Sequence, residues 1–125
     1  MNEQLAKSII ETYVTGWLEN NPEQILETLT PDCLIIESHG PTYRGRDVVE
    51  AWITSWYQEG NHIGRWEITS FFYVDGQAAF EWIFECGGDW GDMLIEGVSI
   101  VRFEDDKIAY LREYRSTEPL FDWQA

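Results

Sequence analysis

Between Glu3 and Glu19 the apolar residues Leu5, Ala6, Ile9, Ile10, Tyr13, Val14, Trp17 and Leu18 recur at three- and four-residue steps, the spacing of one face of an amphipathic helix. Asn20-Asn21-Pro22 stops that helix and starts a second, short one. Asn21 is placed to cap the free N–H groups, and Pro22 in the first turn has no N–H to lose. Ile25, Leu26 and Leu29 are its expected buried side, with Thr30-Pro31-Asp32 as its end. Cys33 to Glu37 is a short isoleucine-rich run and predicts a first strand. Ser38 to Gly45, with two glycines and a proline, predicts a loop. Helical spacing returns from Arg46 to Gln58 through Val48, Val49, Trp52, Ile53 and Trp56.

The second half changes period. Trp66 to Val74, Gln77 to Cys86, Met93 to Phe103 and Lys107 to Arg115 are rich in aromatic and β-branched residues and predict the four strands of a meander. Asp75-Gly76 is a favoured two-residue hairpin turn, and Asp105-Asp106 predicts a tight turn between the last two strands. Gly87-Gly88-Asp89-Trp90-Gly91-Asp92 predicts a longer, mobile loop with one exposed aromatic that acts as a flap. Helices followed by a meander imply an α+β domain, residues 1–125, with three helices on one face of an antiparallel sheet. Strand alternation puts Phe80, Trp82 and Phe84 on one face, with Ile95, Gly97, Ser99, Val101 and Phe103 of the next strand and Ala109, Leu111, Glu113 and Arg115 of the last. The opposite face carries Glu81, Glu85, Glu96, Arg102 and Arg112 beside Ile83, Val98, Ile100, Ile108 and Tyr110. Those charges are expected to pair across strands, and the face to meet a second copy of the chain.

Composition sharpens this picture. Aromatic residues make up 15% of the chain and include seven tryptophans, more large rings than a core of 125 residues easily absorbs, so some are expected to line a pocket or an interface. The net charge of −15 repels phosphate backbones and anionic lipid and argues against nucleic acid and membranes as partners. Cys33 and Cys86 lie in apolar runs away from metal-ligand spacing and read as buried free thiols. The N-terminus has no signal-peptide pattern and no apolar run reaches membrane-spanning length, so a cytoplasmic location is expected. There is no phosphate-binding glycine loop, metal cluster or nucleophile triad, and cofactor-free chemistry is the expectation.

Thr30-Pro31-Asp32-Cys33 leading into Ile36-Glu37-Ser38-His39-Gly40, then Tyr43-Arg44-Gly45-Arg46 into a helix, is similar to the SnoaL-like and ketosteroid isomerase-like branch of the nuclear transport factor two-like superfamily. Glu81-Trp82, Glu96-Gly97-Val98-Ser99-Ile100 and Phe103-Glu104-Asp105-Asp106-Lys107-Ile108 continue the resemblance over nearly the whole chain. It implies a cone-shaped α+β barrel with three N-terminal helices on a strongly bent sheet. It also implies an open end for a small apolar ligand, and a homodimer through the outside of the sheet. Fold alone assigns no reaction. Tyr13, Trp17, Trp52, Ile53, Phe80, Trp82, Phe84, Ile95 and Leu111 are the expected cavity lining.

The resemblance to ketosteroid isomerases places Glu37 on the general base, Tyr13 on the tyrosine that polarises the substrate oxygen, and Ser99 where an aspartic acid shares that oxygen. Serine is the weaker donor there. A glutamate in an aromatic cavity has its charged form disfavoured by desolvation, which suits a general base; the alternative is a solvated Glu37 at the loop mouth and Tyr13 as a core ring. His39 shares a face with Glu37 at the cavity rim and is a proton-relay candidate, while His62 reads as solvated. Glu113 and Arg115 point inward together, either closing the barrel end as a salt bridge or orienting a ligand, loosely like limonene epoxide hydrolases of the same superfamily. Two functions follow: a cofactor-independent acid/base enzyme of the isomerase, cyclase or hydratase type acting on an apolar oxygenated substrate, or a non-catalytic ligand-binding or dimerisation module. The tail from Ser116 to Ala125, with Leu120, Phe121 and Trp123, either closes the cavity or crosses to a partner.

Overall fold

A computed structural model describes residues 1–124. Helix α1 (Glu3–Leu18) is followed by α2 (Pro22–Glu27), β1 (Leu29–Ile36), β2 (Thr42–Arg44), α3 (Arg46–Gln58), β3 (His62–Val74), β4 (Gln77–Gly88), β5 (Gly91–Glu104) and β6 (Lys107–Arg115). The capping residues act as their chemistry predicts: Asn2 Oδ1 accepts from the Leu5 amide at 2.9 Å and Asn21 Oδ1 from the Gln24 amide at 3.2 Å. No helix among the described residues is long and apolar enough to cross a membrane.

The six strands form one sheet in the order β2-β1-β6-β5-β4-β3. The sheet is mixed where an antiparallel one was expected, because β6 returns alongside β1 in parallel. It is also open, with β2 and β3 as its edges. The helices cover one face. Ile10, Tyr13 and Trp17 of α1, Ile25 of α2, and Val49 and Ile53 of α3 pack there on Ile35, Phe80, Trp82, Val101 and Leu111. Tyr57 of α3 donates its hydroxyl to the Trp17 carbonyl and ties the end of α3 to the end of α1.

Several boundaries differ from the sequence reading, each for a physical reason. Helix α2 ends at Glu27, and Leu29 begins β1, so that Thr30-Pro31-Asp32 lies within the strand. The proline is tolerated where the register of β1 against β6 breaks, between Leu29 and Leu34. Thr42–Arg44, inside the expected loop, pairs with β1. Ile108 faces the core at 0% exposure, because a bulge skips Ala109 and moves Ile108 to the opposite face from the one strict alternation gives. The expected mobile loop after Cys86 is a hairpin in which Gly88 pairs with Gly91 and only Asp89-Trp90 form the turn. The glycines there serve close approach: a Cβ on Gly88 would collide with Asn61 Oδ1 and come within 2.8 Å of Trp90 Nε1. Asp75-Gly76 and Asp105-Asp106 do form tight turns, with both residues of each pair at positive φ.

On the outer face Arg102 and Arg112 lie over the rings of Tyr110 and Tyr114, at 4.6 and 4.8 Å from the centroids, instead of pairing with Glu81, Glu85 or Glu96. The ion pairs of that face join Arg65 to Glu67 and Glu85.

Gly97 lies under the cavity-lining Trp82 with no room for a side chain. A Cβ there would stand 2.6 Å from Trp82 Cη2 and collide with the Tyr114 carbonyl. Gly97→Ala is expected to cost about 1–3 kcal/mol of stability, the usual range for overpacking, measured as a lowered urea midpoint with an unchanged slope.

Candidate functional site

Between the helices and the concave sheet face lies a cavity of about 450 Å³. Six of the seven tryptophans line it: Trp17, Trp52, Trp56, Trp66, Trp82 and Trp90. Two groups of rings make its walls. Tyr43 and Trp52 stack with centroids 4.0 Å apart and planes 9° from parallel, and Trp17 packs on Trp52 at 4.8 Å and on the edge of Trp56 at 5.8 Å. On the sheet side Trp66 meets Tyr13 at 6.1 Å and Phe84 at 5.4 Å, both edge to face.

Among the charged and titratable polar groups, carboxyls outnumber basic side chains. Glu37, Glu59 and Glu113 line the cavity, with His39 and Arg115 as the basic side chains. The hydroxyl of Tyr43 donates to Glu37 Oε1 at 2.6 Å. Because Tyr43 is clamped by its stack on Trp52, the ring fixes one oxygen of Glu37 and leaves the other free. Tyr13 is 1% exposed, and its hydroxyl donates no hydrogen bond to any described residue. Burial is the largest influence raising its pKa well above that of a free phenol; the negative charges of Glu113 and Glu37 add to it, and the Trp17 indole N–H opposes it.

The carboxyl most altered by this environment is Glu113. Desolvation, and secondarily the charge of Glu37, push its pKa up to about 8. It forms no ion pair with Arg115. Arg115 is at the exposed end of β6, where its guanidinium donates to Met93 Sδ at 3.6 Å. The expected salt bridge at the barrel end is therefore not made, and Glu113 has no cation of its own.

The structure gathers Tyr13, Trp17, Glu37, His39, Trp52, Trp82, Phe84, Ile95, Glu113 and Arg115 around one cavity. Ile53, Phe80 and Leu111 do not reach it. They are fully buried one layer behind, in the packing between helices and sheet. Ser99 also differs from expectation: it is 0% exposed and outside the lining, and its hydroxyl accepts the Trp82 indole N–H at 2.9 Å. In register with Ser99 on the next strand stands Glu113.

Sequence reasoning did not single out Tyr43, Trp56, Glu59, Asn61, Trp66 or Met93 for the cavity. Trp56 follows Trp52 by one helical turn and Trp66 pairs with Phe84, so both follow once the register is known. Asn61 had no signal. It is 8% exposed, donates to the Trp56 carbonyl at 2.9 Å and accepts the Trp90 indole N–H at 2.8 Å, so that it pins the β4–β5 turn at the cavity mouth. Among the described residues no three His, Cys, Asp or Glu side chains converge as metal ligands would.

Helices resting on a curved open sheet, with a carboxyl- and phenol-bearing aromatic hollow between, define the class of small α+β cavity proteins. The sequence profile of the SnoaL-like domain matches residues 10–111, and the chain belongs to that family. No curated protein sequence matches significantly. Among solved structures, a Mycobacterium tuberculosis epoxide hydrolase of the limonene epoxide hydrolase type superposes with a TM-score of 0.82 at 10% identity, covering 91% of this chain and 84% of that one. A putative polyketide cyclase from Xanthomonas campestris gives 0.76 at 13% identity, covering 93% of each chain. A protein from Catenulispora acidiphila with a ketosteroid isomerase-like fold, in complex with trimethylamine, gives 0.74 at 17% identity, covering 87% and 85%. At these identities the likeness is one of fold.

Since Glu113 binds its proton more tightly in the folded chain than an unfolded glutamate does, its contribution to stability is complete in acid and is lost as pH rises from the ordinary carboxyl range through about 8. Each tenfold change in proton affinity is worth about 1.4 kcal/mol. Glu113→Gln, which mimics the protonated form, is expected to abolish that decline and to be the more stable protein at pH 9, measured by denaturant unfolding across pH 5–9.

Proposed function

We propose that the cavity is the active site of a cofactor-independent acid/base enzyme of the isomerase, cyclase or hydratase type, with Glu37 as proton acceptor and Tyr13 as donor to the substrate oxygen. The observation that carries the reading is the Glu37 carboxylate, gripped through one oxygen by Tyr43 at 2.6 Å, on the same aromatic cavity as the Tyr13 phenol, whose hydroxyl donates to no described residue. A carboxylate with one oxygen held and one free is oriented for proton abstraction, and effective catalysis depends on such positioning. A phenol out of water gives a strong hydrogen bond to an oxygen on which charge develops. Because Glu113 keeps its proton when the cavity is empty, Glu37 is the available acceptor. Ser99, engaged by Trp82, plays no part, and His39 at the rim is the residue through which a proton leaves for solvent. Neighbours of the same fold that include a putative polyketide cyclase and an epoxide hydrolase are compatible with small-molecule chemistry in this hollow.

Glu37→Gln is expected to keep saturable quenching of tryptophan fluorescence by apolar carbonyl and hydroxylated compounds while turnover of any hit falls about 10²–10⁴-fold. Binding with no turnover in the wild-type protein would instead assign a binding module.

The working unit in this reading is a homodimer through the outer sheet face. Its supporting feature is a field of apolar side chains with no cover: Phe72, Val74, Leu94 and Tyr114 are 65%, 66%, 62% and 43% exposed, and Ile83, Val98 and Ile100 lie between them. Val98→Arg, at the middle of that face, is expected to yield a monomer by light scattering; an unchanged mass would remove this part of the proposal.

A further inference from the structure

We propose that the ligand of this cavity carries a positively charged amine, seated against Glu113 and Glu37 and faced by the tryptophan rings. The inference rests on the cavity being a substrate site and deepens that reading by fixing the charge of what enters.

Three observations lead to it. The lining holds three carboxyl groups against one arginine and one histidine, and the Arg115 guanidinium donates to Met93 Sδ and not to Glu113. The groups around the Glu113 carboxyl offer it no counter-charge: Tyr13 from α1, Glu37 at the end of β1 and Tyr43 from β2 are acidic or neutral, Ser99 from β5 is spent on Trp82, and Arg115 is two residues further along β6. The walls are aromatic faces, and indole is the ring that best attracts a cation once water is removed. An anion would join three carboxyls; a neutral apolar ligand would leave Glu113 unpaired. An ammonium group meets both the carboxyls and the rings, and the overall charge of −15 concentrates cations near the mouth.

Glu113 is tuned for this exchange. With a pKa of about 8, its ionisation at pH 7 costs only about tenfold in equilibrium terms, a cost that a cation at salt-bridge distance in a dry cavity offsets. Binding then moves the proton from Glu113 to solvent, leaving a carboxylate paired with the ammonium, while Glu37 remains the acceptor for chemistry on the rest of the molecule.

The test uses choline and 3,3-dimethylbutan-1-ol, alike in shape and different in charge, titrated by tryptophan fluorescence and by calorimetry in two buffers. Choline is expected to bind at least tenfold tighter, to release a proton, and to tighten by about tenfold per pH unit below 8, the limit for one proton released. Glu113→Gln is expected to erase the preference and the proton release. Equal affinity for the two probes, no binding of either, or a preference intact in Glu113→Gln would each overturn the inference. If neutral carbonyl compounds bind and turn over while choline does not bind, the charge assignment fails and the acid/base reading stands; if choline is preferred and nothing turns over, the reverse holds.

Discussion

The contact of Trp17 with α3 is the joint on which the architecture turns. Its ring packs on Trp52 and Trp56, its carbonyl accepts from Tyr57, and its other side looks onto the cavity. Two helices that would otherwise slide over the sheet are thereby locked at a fixed separation, and that separation keeps a hollow open. Large rings meeting edge to face hold distance as well as attraction, so the same residues that close the core on one side prop the cavity on the other. The Tyr43–Trp52 stack extends the joint to β2, and through Tyr43 to the carboxylate of Glu37. Helix packing and the placement of the Glu37 carboxyl are one connected structure here.

The helices were legible in the sequence because their signals are local. Period-3.6 spacing and the Asn21-Pro22 start gave α1, α2 and α3, and the bounds of α3 and β6 agree to the residue. What a strand does depends on partners far along the chain. The bulge at Ala109 that turns Ile108 inward, and the parallel return of β6 beside β1, leave no mark in alternation. The glycines at 87 and 88 resemble loop composition but make room for the side chains of Asp92, His62, Asn61 and Trp90, and Gly91 supplies a positive φ, which composition alone does not distinguish.

For the site, alternation found Glu113 and the inward rings Trp82 and Phe84, and the family resemblance found Glu37 and Tyr13. Both failed at depth. Ile53, Phe80 and Leu111 point the right way but stop one layer behind the cavity, and pointing inward does not separate core from lining. The pairing of Glu113 with Arg115 was a parity argument. It did not allow for Met93, to which the Arg115 guanidinium donates at the end of β6.

The mouth of the cavity is governed by a side chain that is missing. Trp90 rests on Asn61 only because residue 88 is glycine: a Cβ there would collide with Asn61 Oδ1 and crowd the Trp90 indole. A side chain there would meet Asn61 and Trp90 and displace the turn from its seat. The setting of the entrance turn and the setting of the Glu37 carboxyl thus rest on separate residues.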